Sequence, residues 1–156
     1  MATDPIPRGY HSVTPFLAIQ NVPQFIEFAK RAFGAKEIQR LEKPDGSVMH
    51  AEIRIGDSII MVGDAGPGQT PSKATLYLYV DNADLVYENA INAGATSVER
   101  PRDHFYGDHA GGINDPSGNQ WWIATHVEDV PEEVLRKRAV EWEAQRVAET
   151  KSHSSD

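Results

Sequence analysis

His50 and Glu52 have a spacing that could support acid–base chemistry. The two residues alternate along one predicted strand, and Arg54 continues the alternation, so all three side chains point to the same face. Glu52 could orient His50 as a general base, or the pair could form half of a metal site. Pairs with this spacing are also common on strands that face solvent, so a solvated strand is the alternative interpretation.

A second group of polar residues surrounds the glycine-rich segment before Asp115. It consists of His104, Tyr106, Asp108 and His109. Glycine allows the backbone to approach a ligand closely, and loops on a rigid scaffold commonly carry function. Three interpretations are open. The segment contacts a ligand through Tyr106 and Asp108, with His109 as a further catalytic candidate, it is a surface loop, or it forms a metal site.

The composition excludes several other kinds of site. The 156 residues include no cysteine, which removes thiolate metal sites, disulfides and cysteine nucleophiles. The 15 basic and 23 acidic residues give a net charge of −8, which repels nucleic acid and anionic membranes. The sequence has no phosphate-binding loop, no dinucleotide-binding glycine pattern, no Gly-x-Ser-x-Gly elbow and no apolar run of the ~18 residues that a membrane span needs. We therefore expect a cytoplasmic protein that binds neither nucleic acid nor membranes.

Turn and cap residues divide the chain into two halves with the same predicted order of elements, βαβββ. The caps Asn21 and Asn82 are 61 positions apart, as are Met61 and Trp122, which indicates an internal repeat. The predicted strands cover residues 12–19, 37–42, 50–55 and 58–63 in the first half and 74–80, 96–99, 105–113 and 120–125 in the second, with helices from Asn21 to Gly34 and from Asn82 to Gly94.

The repeat predicts an α+β fold. Two tandem βαβββ modules are expected to pair into a curved half-barrel sheet with a concave cleft, and the helices cover the convex side. The predicted segments are a flexible N-terminus (1–10), a single domain (11–129) made of module one (12–63), a linker (64–73) and module two (74–125), a C-terminal helix (130–147) and a disordered tail (148–156).

The predicted C-terminal helix carries a short apolar stripe. Leu135, Ala139 and Trp142 recur at helical spacing. We expect this stripe to pack on the same chain or on a second subunit, and exposure to solvent is the third alternative.

Strand alternation predicts an aromatic and mostly neutral cleft. Every second residue of a strand points to the same face, so Trp121 is expected in the core and Trp122 in the cleft. The alternative is that the aromatic side chains only fill a closed core. The expected ligand-binding residues are Phe16, Met61, Tyr77, Tyr79 and Trp122, together with Tyr106 and Asp108.

Two stretches of the sequence resemble a known superfamily. HAEIRIGDSIIMVGD at residues 50–64 and FYGDHAGGINDPSGNQWWIATHVEDV at residues 105–130 are similar to the vicinal-oxygen-chelate superfamily, and most similar to the PhnB-like branch of its glyoxalase/bleomycin-resistance group. The resemblance covers about residues 13–129 and implies the paired βαβββ fold. It also implies a homodimer, since members of this size resemble symmetric pairs and the open sheet edges can be covered by a partner.

The resemblance further implies where a metal would be bound. Metal-dependent members place one His, Glu or Gln ligand on the first strand and one on the last strand of each module. At the matching positions this sequence has Thr14, Met61, Thr75 and Trp122, and an indole cannot bind a metal through a lone pair. We therefore expect neither the usual metal nor another cofactor.

Two function classes follow from the sequence. The first is a small-molecule-binding protein of the glyoxalase/bleomycin-resistance type that sequesters a planar or cationic compound. The alternative is a lyase, isomerase or dioxygenase-type enzyme. Such an enzyme would use either a relocated metal around His50, Glu52 and His109 or a metal-free acid/base pair.

Overall fold

The chain folds into two βαβββ modules followed by a helix. A computed structural model describes residues 2–154; residue 1 and residues 155 and 156, for which flexible ends were predicted, lie outside the described residues. This order of elements confirms the predicted α+β fold. The elements are β1 (Phe16–Ile19), α1 (Val22–Phe33), β2 (Lys36–Glu42), β3 (Val48–Ile55), β4 (Ser58–Asp64), β5 (Thr75–Tyr79), α2 (Ala83–Asn92), β6 (Thr96–Asp103), β7 (Asp108–Asn114), β8 (Gln120–His126) and α3 (Glu132–His153).

Both module helices begin at the asparagines that the sequence indicated. The side-chain oxygen of Asn21 accepts a hydrogen bond from the Gln24 amide (3.2 Å), and that of Asn82 accepts one from the Leu85 amide (3.1 Å). Each bond satisfies one of the free amides of a first helical turn.

Each module forms its own four-stranded sheet. The strand orders are β1-β4-β3-β2 and β5-β8-β7-β6, so the same topology occurs twice. In the first parallel pair Phe16 lies opposite Met61, and in the second Tyr77 lies opposite Trp122. Both pairs are related by 61 positions, in agreement with the repeat that the sequence indicated.

One hydrophobic core joins the two modules. Its buried side chains come from both sheets and from α1 and α2, which pack against each other. The rings of Phe33 on α1 and Trp121 on β8 are 4.7 Å apart between centroids, so they link the first module to the second. The core therefore lies on the helix-covered face of each sheet. The other face, which we call the open face, is left to carry a site.

Several segments differ from the predicted boundaries. Strand β1 begins at Phe16 rather than at residue 12, and β7 begins at Asp108 rather than at residue 105. The C-terminal helix does not stop at residue 147 but continues to His153, because residues 144–151 contain no glycine or proline and several strong helix formers. Strand β6 is eight residues long rather than four. It contains Pro101 within a register shift between Glu99 and Arg102, where a missing amide is tolerated.

The N-terminal segment is attached to the first sheet. The Tyr10 amide donates to the Pro7 carbonyl (3.0 Å), and the Tyr10 hydroxyl donates to Glu52 on β3. These contacts place Tyr10, the last residue of the segment predicted to be flexible, against β3. No helix among residues 2–154 combines the length and the apolar character needed to cross a membrane.

Candidate ligand-binding site

An aromatic cavity of about 500 Å³ lies on the open face of the second sheet. Its volume falls within the ~300–1,000 Å³ that is usual for small-molecule sites. Among the described residues, six of its lining side chains carry rings, and Glu99 and Arg102, which form an ion pair with each other, are the charged ones. The lining residues are Tyr77, Glu99, Arg102, His104, Phe105, Tyr106, Trp122 and Trp142.

The sheet itself positions Trp122 and Tyr77. Trp122 follows the buried Trp121 on β8, and strand alternation turns it to the open face, where Tyr77 of β5 is its neighbour. Gly112 of β7 lies opposite Trp122, and a Cβ atom at Gly112 would lie 3.1 Å from the indole ring. Glycine therefore lets the indole lie close against the backbone of β7. The indole nitrogen donates to Gln120 Oε1 (3.0 Å).

The segment between β6 and β7 supplies another wall of the cavity. The rings of His104 and Tyr106 are stacked at 5.3 Å between centroids, and His104 meets Trp122 edge-on at 6.3 Å. His104 Nε2 lies 3.1 Å from the Ala110 carbonyl oxygen and is fixed by that contact. The predicted ligand-binding residue Tyr106 therefore lines the cavity.

A buried carboxylate connects the tyrosines of the second sheet. Asp108, only 3% exposed, accepts hydrogen bonds from the hydroxyls of Tyr77 and Tyr79 (2.9 Å each) and from His126 Nδ1 (2.8 Å). The Tyr106 hydroxyl lies 3.3 Å from that of Tyr77. Asp108 is thus placed behind the tyrosines, not among the lining residues, and it can act on a ligand only through them.

This hydrogen-bond network keeps Asp108 ionised and the tyrosines neutral. Burial disfavours the charged form of Asp108, but its hydrogen bonds from His126, Tyr77 and Tyr79 outweigh burial and hold its pKa below the ordinary value. Burial, with the hydrogen bonds to Tyr106 and Asp108, raises the pKa of Tyr77. Hydrogen bonds to Asp108 and then to Asp129 (2.6 Å) raise the pKa of His126.

Phe16 and Met61 do not line this cavity. Both lie in the first sheet, where Phe16 stacks on His50 at 6.0 Å between ring centroids. The five residues expected in one cleft are therefore divided, with Tyr77, Tyr79 and Trp122 in the second sheet. The strands hydrogen-bond only within their own module in the described chain.

His50 and Glu52 are neighbours on the first open face. His50 Nε2 lies 3.4 Å from Glu52 Oε1, and the Tyr10 hydroxyl donates to the other oxygen of Glu52. Burial, followed by the interactions with Glu52, raises the pKa of Tyr10 to about 12. Sequence reasoning missed Tyr10 because 42 positions separate it from Glu52, with no local pattern to connect them.

His109 points away from the aromatic cavity. Its Nε2 lies 2.9 Å from Asp84 of α2, and its Nδ1 lies 2.8 Å from Asp103 of β6. These hydrogen bonds raise the pKa of His109, that to Asp84 first. His109 therefore does not join His50 and Glu52 within one chain. Residues 2–154 contain no group of three or more His, Cys, Asp or Glu residues that could hold a metal ion.

Trp142 is a cavity residue that sequence reasoning did not assign to the site. It lies on α3, and its ring packs on that of Phe105 at 5.5 Å between centroids. The apolar stripe of the C-terminal helix predicted a packing surface, and its contact with Phe105 lies within the same chain. Helical spacing alone could not predict that Trp142 packs on Phe105 or that it lines the cavity.

Comparisons with known proteins agree with this fold. The family model of the Glyoxalase/Bleomycin resistance protein/Dioxygenase superfamily matches residues 10–123. Uncharacterized proteins of Mycobacterium bovis and Mycobacterium tuberculosis are each 32% identical over 130 residues; the alignments cover 76% of this chain and 86% and 76% of those proteins, respectively.

Solved structures with the same fold include proteins of a plant and of a bacterium. A gene product from Arabidopsis thaliana is 26% identical with a TM-score of 0.61, covering 74% of this chain and 98% of that chain. TioX from Micromonospora is 22% identical with a TM-score of 0.61, covering 78% of this chain and 100% of that chain. At this identity the second likeness concerns the fold alone.

Proposed function

Because this chain belongs to the glyoxalase/bleomycin resistance protein/dioxygenase superfamily, we propose that it binds a planar or cationic small molecule in the aromatic cavity of its second module and sequesters it unchanged. The observation that carries the proposal is the ring-lined cavity of about 500 Å³ whose Tyr77 is hydrogen-bonded to a buried, ionised Asp108. The superfamily hosts many activities, so the site and not the fold decides between them.

The chemistry of the cavity favours a cation. The faces of aromatic rings attract positive charge, and Asp108 adds a negative charge behind Tyr77 and Tyr79. The Tyr77 hydroxyl donates a hydrogen bond to Asp108. Its oxygen and the hydroxyl oxygen of Tyr106 therefore keep lone pairs that can accept hydrogen bonds from a ligand. The net charge of −8 attracts cations to the whole surface and repels phosphate esters.

We further propose that the protein works without the usual metal of the superfamily. Of the four positions matched to its ligands, two carry threonine hydroxyls, one a thioether and one an indole. The Trp122 nitrogen is a donor and bonds Gln120, and the Thr14 hydroxyl lies 3.4 Å from the His11 carbonyl oxygen. This donor set does not fit a divalent ion that needs imidazole and carboxylate ligands.

Binding of ethidium, a planar aromatic cation, tests the proposal. Fluorescence titration should give a Kd that rises roughly tenfold in Trp122→Ala, because the variant loses a stacking face. Leu85→Ala is the matched control, since Leu85 is exposed on α2 and does not line the cavity. An unchanged Kd in Trp122→Ala, or tighter binding of 1-naphthyl phosphate than of ethidium, would show the proposal to be wrong.

An acid–base enzyme is the second candidate function. The observation that favours it is the hydrogen-bonded chain from Tyr77 through Asp108 to His126, which connects the cavity to a titratable imidazole.

An enzyme with a relocated metal is tested by native mass spectrometry and by thermal denaturation with added nickel, zinc or manganese. We expect no stoichiometric metal and no change in Tm. A clear metal-dependent rise in Tm would favour the enzyme over the binding protein.

Three finer assignments are part of the same proposal. The PhnB-like branch is supported by the two stretches of sequence similarity at residues 50–64 and 105–130. A homodimer is supported by the exposed open face of the first sheet, where the Phe16 side chain is 53% exposed. The cytoplasmic location stays a prediction from the sequence.

A further inference from the structure

Helix α3 lies beyond the part of the chain that matches the superfamily. The match ends at residue 123, whereas α3 begins at Glu132. This helix nevertheless places Trp142 at the aromatic cavity, which the strand residues Tyr77 and Trp122 also line. One wall of the cavity is thus supplied by a segment outside the matched domain.

A small number of contacts holds α3 in place. Arg138 makes a bidentate ion pair with Glu128, at 3.0 Å for each nitrogen, and also donates to the Phe105 carbonyl oxygen (3.2 Å). The Phe105 and Trp142 rings pack at 5.5 Å with an interplanar angle of 42°. Helix α3 has no fully buried residue among those described, although Leu135 and Ala139 are partly buried. Arg138 can therefore be changed without removing core packing.

The ring of Trp142 is in a cation–π contact with an arginine of its own helix. The guanidinium carbon of Arg146 lies 5.5 Å from the ring centroid, within the ~6 Å range of a cation–π contact. Arg146 is also paired with Glu143 at 2.8 Å, which offsets its charge. Trp142 is 40% exposed, so part of its ring is open to a ligand.

We infer that α3 forms a wall of the binding cavity and that Trp142, a ligand-contact residue, makes the site selective for fused-ring planar cations. A ligand with several fused rings can contact Trp122 on the sheet and Trp142 on the helix together, whereas a one-ring cation is held by the sheet wall alone. A cavity of about 500 Å³ has room for the larger ligand. This inference rests on the proposed function.

The test compares two cations, ethidium and phenyltrimethylammonium, by calorimetric titration of the full chain. Trp142→Ala should raise the Kd of ethidium roughly three- to tenfold and that of phenyltrimethylammonium less than about twofold. Trp142→Phe, which keeps a ring, should recover most of the loss. Circular dichroism of each variant checks that α3 remains helical.

Weakening the attachment of α3 gives a second test that substitutes no cavity-lining side chain. Arg138→Gln breaks the ion pair with Glu128 and should weaken ethidium binding, but by no more than Trp142→Ala does, because the packing of Trp142 on Phe105 remains. The double variant should lose no more than Trp142→Ala alone, because both changes act on the same wall. Glu128→Gln is the matched variant on the other side of the pair; it keeps the hydrogen bond from Arg138 to the Phe105 carbonyl oxygen and should weaken ethidium binding no more than Arg138→Gln does.

The outcomes separate the inference from the proposed function. If wild-type protein binds neither cation, the proposed function and the inference are both wrong. If ethidium binding weakens in Trp122→Ala but not in Trp142→Ala, the site exists and α3 is not its wall. If Trp142→Ala weakens both cations equally, α3 is a wall without selectivity for fused rings, and the selectivity is overturned.

Discussion

Two adjacent tryptophans of β8 lie in opposite environments and should respond differently to truncation. Trp121 is 2% exposed, packs on Phe33 and donates to Asp115 Oδ2 (2.9 Å). Trp121→Ala should therefore lower the free energy of unfolding by about 3–5 kcal/mol, as large core truncations do. Trp122→Ala should cost much less, because Trp122 is only partly buried at the cavity. Urea denaturation of both variants measures the difference, and the reverse order would contradict the assignment of the two faces.

His126 should make stability depend on pH between neutral and mildly alkaline conditions. Its hydrogen bonds to Asp108 and Asp129 raise its pKa in the folded state above the ordinary 6.5. The protonated form is therefore stabilised on folding, and this contribution is fully present below about pH 6.5 and is lost as pH rises through the folded pKa. The pKa of Asp108 is lowered, so its own contribution is lost only in acid.

Thermal denaturation from pH 6 to 9 measures this effect. The fall in Tm across that range should be smaller in His126→Gln than in the wild type, since the variant has no imidazole at this position. His109, whose pKa is raised by Asp84 and Asp103, should still titrate in the variant and leave part of the fall. An NMR titration that placed the pKa of His126 at or below 6.5 would contradict the assignment.

The turn before β7 is hydrogen-bonded to the segment that connects β8 to α3. Gly107 has a φ of 100°, and its carbonyl accepts from the amides of Val127 (2.9 Å) and Glu128 (3.1 Å). A Cβ atom at Gly107 would overlap the carbonyl oxygen of Glu128. Gly107→Ala should therefore lower the free energy of unfolding by about 2 kcal/mol or more, from backbone strain and from this overlap.

Gly118 is the matched control for Gly107. It also has a positive φ, 88°, but a Cβ atom there would meet no other atom within 4 Å. Gly118→Ala should cost only the backbone term, about 1–2 kcal/mol. Equal losses in the two variants, measured by chemical denaturation, would show that the contact with Glu128 contributes nothing.

Local patterns in the sequence predicted the elements and the face on which several residues lie. Asparagine caps mark both module helices, and strand alternation separates Trp121 from Trp122, because caps and alternation act over a few residues. The second half of β6 was not predicted because proline usually ends a strand, whereas Pro101 here lies within a register shift.

Contacts between distant parts of the chain could not be predicted in the same way. The pairing of Tyr10 with Glu52, of His109 with Asp84, and the approach of Trp142 to the cavity depend on how whole elements pack. No short-range periodicity encodes them. Strand alternation therefore predicted that Tyr77 and Trp122 share a face, whereas the helical wall of the cavity was not predictable.

The two open faces suggest how two copies of the chain would associate. Phe16 is 53% exposed on the first open face, and in one chain it does not reach the aromatic cavity. We expect a homodimer, and light scattering at micromolar concentration should give twice the 17.3 kDa of one chain. Phe16→Glu should raise the monomer fraction, whereas Leu85→Glu on α2 should not. A wild-type mass of 17.3 kDa would contradict the dimer.

The matching registers of the two sheets have a consequence for how the protein can change over generations. Glu52 lies opposite Met61 in the first sheet, and Gly112 lies opposite Trp122 at the corresponding place in the second. Corresponding positions of the two halves thus carry different side chains, with Glu52 and Met61 in the first sheet and Gly112 and Trp122 in the second, while the helix-covered core is shared. Since the open faces contribute little to that core, substitutions on either open face can change which ligand that half binds while the fold is retained.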